Sequence, residues 1–189
     1  MKDYLKYKWF FTASGKLVVG GKSALQNDEL IKALKQEGEE RIIMHTSTPG
    51  SPFMCIVSAP GEVSKKDMEE CATFTGAFSQ AWKSRKGKVS IDIFRLSQLA
   101  KRPGMKTGTW GVNGYVEKTV VSLLLVLTKQ KGVLRAVPEQ TVKKGIVKFV
   151  PGSIDKKDLA PKLELETGKA FNNEEILAAL PAGGVKLVK

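Results

Sequence analysis

The chain contains one histidine, His45, at the head of a segment dense in hydroxyls, His45-Thr46-Ser47-Thr48-Pro49-Gly50-Ser51-Pro52. An imidazole beside Ser47, Thr48 and Ser51 has two uses: a general base that activates a hydroxyl or a water, or one polar contact among several in a binding groove. Two cysteines, Cys55 and Cys71, complete the set of soft ligands. Their spacing from His45 and from each other matches no compact zinc pattern, and both fall on apolar stretches predicted as strand and helix, so neither a metal nor a cofactor is expected. No nucleophile elbow, phosphate loop or dinucleotide fingerprint is present; Gly20-Gly21 and the glycines of residues 102–111 fit none of these patterns. The chemistry is therefore open between base catalysis at His45 and recognition without turnover.

Charge favours recognition. Thirty-one Lys and Arg face nineteen Asp and Glu, a net charge of +12, and the pI is near 9.7, which suits polyanions such as nucleic acid. The distribution is uneven. Between residues 83 and 106, Lys83, Arg85, Lys86, Lys88, Arg95, Lys101, Arg102 and Lys106 are opposed only by Asp92, a net +7. Acidic residues gather elsewhere, at Glu37, Glu39 and Glu40, at Glu62 to Glu70, and from Glu164 onward. Lys83 and Arg85 also have a structural use, because they end a predicted helix and complement its dipole. Aromatic residues accompany the cations: Trp9 and Trp82 fall on predicted core faces, whereas Trp110, in the basic glycine loop, is divided between core and base-stacking roles. Backbone N–H groups of that loop are also suited to approach a phosphate.

These residues need a scaffold. With 189 residues, 42% of them hydrophobic and 26% charged, the chain reads as one globular domain with a small appendage. A chain of this size buries about 70% of its unfolded surface and needs no disulfide or metal staple. Two cysteines suit a reducing compartment. No apolar run, the longest lying around 123–127, approaches the roughly 18 residues of a membrane span, and Lys2, Asp3, Lys6 and Lys8 interrupt any signal sequence. A cytoplasmic protein with no membrane partner is expected.

Along the chain, residues 9–12 and 17–19 predict a hairpin around Ser14-Gly15. Ser23 caps a helix whose apolar positions Ala24, Leu25, Leu30, Ile31 and Leu34 stop at Gly38. Strands are predicted at 41–44 and 53–57, flanking the hydroxyl-rich loop. Ser64 and Asp67 open a second helix in a capping-box pattern, and its periodicity carries it without a break to about Trp82. Residues 89–94 alternate as a strand, 95–101 read as a short helical connection and 102–111 as the basic loop. The run 116–127 is so continuously apolar that it predicts one central strand covered on both faces. Strands follow at 133–137 and 146–150, the latter ended by Pro151-Gly152, then helices at 155–165 and 172–180 and an edge strand at 185–188. The irregular alternation gives an α+β class: a mixed, mainly antiparallel sheet packed by two main helices, with a C-terminal extension of strands and short helices. The expected division is 1–129 and 130–189, the second part packed on the same core.

Several of these blocks carry a resemblance. Tyr7-Lys8-Trp9-Phe10-Phe11-Thr12, Gly15, Leu17-Val18-Val19-Gly20-Gly21 and Gln26-Asn27 resemble the opening of the NFACT-R domain, the RNA-binding module of the NFACT proteins (the RqcH and NEMF group). His45 with Gly50-Ser51-Pro52 resembles its central motif. Ala77 and Ser79-Gln80-Ala81-Trp82-Lys83-Ser84 resemble its helix ending in Ala-Trp-Lys, and residues 99–104 with Gly108 and Thr109 its Lys and Gly loop. The family's central motif usually reads His-Ala-Asp-Leu-His-Gly. Here Ser47 stands where Asp is common and Pro49 where the second His is common, which weakens acid–base catalysis and leaves hydroxyls that bond phosphate or ribose without charge repulsion. The resemblance implies a standalone form of a module whose larger relatives are ribosome quality-control factors that engage the large ribosomal subunit and tRNA.

The favoured reading is thus a non-enzymatic protein that binds structured RNA, tRNA or ribosomal RNA, with the ribosome as a partner. Lys83, Arg85, Lys86, Lys88, Lys101, Arg102 and Lys106 are the expected phosphate contacts, Trp110 the stacking residue, and His45, Ser47, Thr48 and Ser51 the polar contacts. Two alternatives stay open: an enzyme on nucleic acid or nucleotides with His45 as base, and an interaction module docking an acidic protein. DNA also remains a candidate ligand, since phosphate charge alone does not separate it from RNA.

Overall fold

The computed structural model describes residue 1 and residues 3–188. The chain opens with β1 (Lys8–Phe11) and β2 (Leu17–Gly20), then α1 (Ala24–Glu37), β3 (Ile42–Thr46), β4 (Met54–Ile56), α2 (Lys65–Ala77) and α3 (Gln80–Lys83). β5 (Lys88–Arg95), β6 (Leu99–Ala100), β7 (Gly111–Val112), β8 (Glu117–Ser122), β9 (Leu125–Gln130), β10 (Val133–Pro138) and β11 (Lys148–Ile154) follow. It closes with α4 (Leu159–Thr167), α5 (Asn173–Ala179) and β12 (Val185–Val188). The α+β class holds.

The main sheet has six strands in the order β1-β2-β4-β3-β5-β8, and every pairing in it is antiparallel. Side chains alternate between its faces with period two. Trp9, Val19, Ile43, Cys55 and Phe94 meet Leu30, Ile31 and Leu34 of α1. Phe10, Val18, Met44, Met54, Ile56 and Ile91 meet Cys71, Ala72 and Phe74 of α2 on the other side. Both helices begin as their sequences require: Ser23 accepts the Gln26 N–H, and Ser64 with Asp67 forms a capping box. Gly38 ends α1 at φ 74°, a left-handed geometry that favours glycine.

A second sheet, β10-β9-β11-β12, builds a separate core from Leu125, Leu127, Leu134, Ala136, Phe149 and Val185. Leu159, Leu163, Ile176 and Leu180 from α4, α5 and the residue after α5 cover it, together with Ala77, Ala81 and Trp82. Phe78, Val89 and Val121 pack against this core and the α2 core alike, so the two share a wall. β6 and β7 form a small separate ribbon that anchors the basic loop. Among the described residues no helix is long and apolar enough to cross a membrane.

Four sequence expectations change. The helix expected to reach Trp82 stops at Ala77. Ser79 donates to the Gly76 carbonyl and caps α3 by accepting the Ala81 N–H, and the Gln80 N–H leaves the helical ladder for the Gly50 carbonyl (2.9 Å). The break turns Trp82 into the second core, where its Nε1 donates to the Gly184 carbonyl (3.0 Å). The apolar run 116–127 is two strands in two sheets: β8 is an edge strand with Val120 65% exposed, and the chain switches sheets at Leu123-Leu124. Pro151-Gly152 does not end β11, which continues through a bulge to Ile154. Pro151 lies beyond the stretch paired with β9, where its missing N–H breaks no ladder bond, and Gly152 lets the β12 backbone approach closely. Residues 95–101 form a 3-10 turn at 96–98 that leads into β6.

A buried carboxylate fixes the first hairpin to α2. Asp67 Oδ1 accepts from Thr12 (2.6 Å) and Ser14 (2.5 Å), and Oδ2 from the Ser64 hydroxyl (2.6 Å) and N–H (3.0 Å). Burial alone would raise its pKa, but these donors outweigh it and hold the carboxyl down at about 2. Next to it burial pushes Glu70 upward, despite bonds from the Ala13 N–H and Thr141. A depressed folded-state pKa stabilises the fold above the unfolded value near 4 and loses that contribution as pH falls toward about 2. Asp67→Asn should therefore cost about 2 kcal/mol near neutral pH. In urea denaturation the gap from wild type should close as the pH is lowered toward about 2, and a gap independent of pH would assign the loss to packing instead.

Candidate nucleic-acid interface

β3 runs out at Thr46, and the loop after it is stapled by its own hydroxyls. The Thr46 hydroxyl donates to the Thr48 carbonyl (2.6 Å), and the Thr46 N–H donates to Ser51 Oγ (2.9 Å). Gly50 takes φ 111°, and its carbonyl receives the α3 N–H described above. Ser47 Oγ donates to Asp92 Oδ1 (2.5 Å) and lies 3.0 Å from Ser90 Oγ. Asp92, opposite His45 in the β3–β5 register, also pairs with Lys118 at 3.5 Å. Thr48 is exposed.

His45 stacks on Phe53 with centroids 4.8 Å apart, and its Nδ1 lies 2.7 Å from the Thr46 carbonyl. Burial lowers its pKa against the opposing pull of that carbonyl and of Asp92. The ring is therefore neutral at physiological pH with Nδ1 donating to that carbonyl. No hydroxyl hydrogen-bonds to the imidazole among the described residues. A nucleophile–base pair is thus not assembled among the described residues. Cys55 and Cys71 lie in the cores on opposite faces of the sheet. Burial raises both thiols, Cys71 to about 12. Among the described residues no cluster of His, Cys, Asp and Glu is suited to a metal.

His45, Ser51 and Trp110 line one cleft of about 640 Å³, with Asp92, Gln80 and residues 107–109. The seven predicted phosphate contacts lie outside its walls, in two groups. Lys83, Arg85, Lys86 and Lys88 are exposed on the turn between α3 and β5, with Arg85 at φ 56°. Lys101, Arg102 and Lys106 belong to the loop between β6 and β7. Lys101 is held inside that loop: its ammonium is 3.1 Å from both Asp28 carboxylate oxygens and donates to the Lys106 and Thr109 carbonyls, each at 2.9 Å. Arg102 donates to Asn113 (2.9 Å), and Lys106 is exposed.

Asp28 organises this wall. It sits on α1 and also accepts the Trp110 indole N–H at 2.8 Å. Burial works to raise its pKa, yet bonds from the Gly108 N–H, Lys101 and Trp110 keep the carboxyl below its ordinary value. Trp110 is consequently fixed and half-buried, packed at the margin of the α1 core with part of its ring facing the cleft. Both cations of the cleft, Lys8 and Lys22, escaped the sequence reading, as did the polar residues Asn27, Gln80, Asp92 and Thr107. The two lysines flank motif residues, Lys8 before Trp9 and Lys22 after Gly20-Gly21, but they lie far from the +7 window that drew attention to charge.

A sheet packed by helices on both sides, with a hydroxyl-lined cleft and cationic loops at its margin, makes an α+β module. The chain belongs to the family described as the NFACT protein RNA binding domain, whose model matches residues 6–114. It is 29% identical over 201 aligned residues to the archaeal Rqc2 homolog aRqcH of Methanocaldococcus jannaschii. That alignment takes in the whole of this chain and 30% of the length of aRqcH. Among solved structures, the C-terminal part of the fibronectin/fibrinogen-binding protein of Streptococcus suis shares the fold, with a TM-score of 0.55 and 23% identity over 62% of this chain and 45% of that one.

Asp28→Ala would leave the Lys101 ammonium and the Trp110 N–H without their acceptor. Because Lys101 is partly exposed, the expected cost is about 2 kcal/mol rather than that of a fully buried pair. Acrylamide quenching of tryptophan fluorescence should rise, since Trp9 and Trp82 stay fully buried. Unchanged quenching would mean that packing alone fixes Trp110.

Proposed function

We propose that the chain is a non-enzymatic protein that binds structured RNA, tRNA or ribosomal RNA, in translation or ribosome-associated quality control in the cytoplasm. One observation carries the reading: the RNA-binding family model over 6–114 spans all the residues that line the cleft but Ala182, from Lys8 and Lys22 through His45 and Ser51 to Trp110. The neutral imidazole and loop hydroxyls fit 2'-hydroxyl and phosphate recognition, the means by which RNA is told from DNA. The exposed cations Lys83, Arg85, Lys86, Lys88, Arg102 and Lys106 act as phosphate contacts around it. Lys101 contributes by holding the loop, and Trp110 by stacking its exposed part on a base. Residues 1–129 form the recognition unit, and 130–189 pack against it. Association with the ribosome is the extension of this reading supported by the likeness to aRqcH.

Fluorescence anisotropy with tRNA and a length-matched DNA duplex, each titrated over salt, tests the reading. Tighter tRNA binding that persists near physiological salt is expected, and equal weak binding that vanishes with modest salt would reduce the interaction to generic charge attraction. Arg102→Ala and Lys106→Ala should each flatten the salt slope by about one unit across all RNAs. Wild type and His45→Ala should both leave labelled RNA intact; cleavage by wild type that His45→Ala abolishes would favour an enzyme.

A further inference from the structure

A second cleft, of about 450 Å³, adjoins the first and shares Lys8, Lys22, Phe78 and Ala182 with it. Four cations from four separate places line it: Lys8 on β1, Lys22 in the turn before α1, Arg135 on β10 and Lys156 in the 3-10 turn before α4. Among the described residues none of the four forms an ion pair. Asp155, whose charge favours the Lys156 ammonium, is engaged in capping its own turn through the Lys157 N–H (3.0 Å).

Two of the cations lie over aromatic faces rather than beside acids. The Arg135 guanidinium lies 4.0 Å from the centre of the Trp9 ring, and Lys8 Nζ lies 5.4 Å from that of Phe78. Arg135 Nε is buried without a hydrogen-bond partner. Burial, then the charges of Lys22 and Lys156, lower the Lys8 amine; burial and Arg135 lower Lys22. Such a cluster opposes folding by self-repulsion, and among the described residues its side-chain donors meet no acceptor. Apolar walls from Phe74, Leu177 and Leu180 reduce the screening of its field.

We propose that the second cleft is a phosphate subsite, which takes a phosphate group of the same RNA strand whose nucleosides occupy the first cleft. This rests on the RNA-binding reading and adds to it a second anchor, half of whose cations lie beyond the 6–114 family match. Residues 130–189 therefore serve recognition directly.

The test uses the full chain. Inorganic phosphate titrated into 15N-labelled protein should shift the amide resonances of Lys8, Lys22, Arg135 and Lys156 and lose that effect in a Lys8→Gln/Lys156→Gln double variant. The same variant should bind RNA about tenfold more weakly near physiological salt, with a salt slope lower by one to two units, whereas Lys32→Gln on the exposed face of α1 should change little. Arg135→Gln is a separate variant, checked for folding by thermal denaturation because it removes the cation from Trp9. RNAs with a 5'-phosphate or a 5'-hydroxyl identify the source: a preference for the former assigns a terminal phosphate, equal affinity an internal one. Normal RNA binding and slope in the folded double variant, with no phosphate-induced shifts, would overturn the subsite and leave the RNA reading intact. Phosphate shifts in a protein that binds no RNA would overturn the RNA reading and the strand placement while retaining an anion site.

Discussion

An antiparallel sheet usually keeps one face for the core and offers the other to water. Here α1 seals one face and α2 the other, so β1 to β5 are apolar on both sides along much of their length. That constraint governs the rest. Most of both faces is taken, and the cleft occupies what is left: His45 and Asp92 on the sheet itself, bordered by the loop after β3, the turn before α1 and the loop between β6 and β7. Polar side chains in these places cannot be secured by hydrophobic contact alone. They are secured by hydrogen bonds to a few carboxylates instead.

Asp28 and Asp67 show how this works. Each sits on a helix and gathers donors from a distant loop, Asp67 from the first hairpin and Asp28 from residues 101–110. The arrangement fixes loop position to within hydrogen-bond geometry while leaving the loop backbone outside the core. It also explains why total charge is a poor guide to free charge. Lys101 carries a cation in a basic segment, yet its ammonium faces Asp28 and two carbonyls.

What the sequence reveals is what local chemistry decides. The Ser23 and Ser64 caps, the Gly38 stop and the first hairpin depend on residues within a few positions, and all lie where the pattern puts them. So do His45 and Ser51, whose loop is punctuated by Gly50 and two prolines. The break at Ser79 is illegible because the α2 periodicity continues through it; the bond that competes with the helix comes from Gly50, thirty residues earlier. The division of 116–127 is hidden because the valines of the exposed edge strand β8 and the buried start of β9 read together as one apolar run. Lys8, Lys22, Arg135 and Lys156 are scattered in sequence and converge only through the sheet order and the packing of α5 against β10.

The bond from Trp82 to Gly184 spans 102 residues. In a chain made from its N-terminus on the ribosome, α2 and α3 emerge long before β12 exists to receive the indole. Until then Trp82 and the α3 end of the helical wall have no completed socket, while the α1 side of the main sheet already has all of its parts. The order of synthesis therefore separates one half of the main core, which is able to close early, from a second core that closes only when the final strand arrives. The socket of Trp82 is therefore complete only once Gly184 has been made.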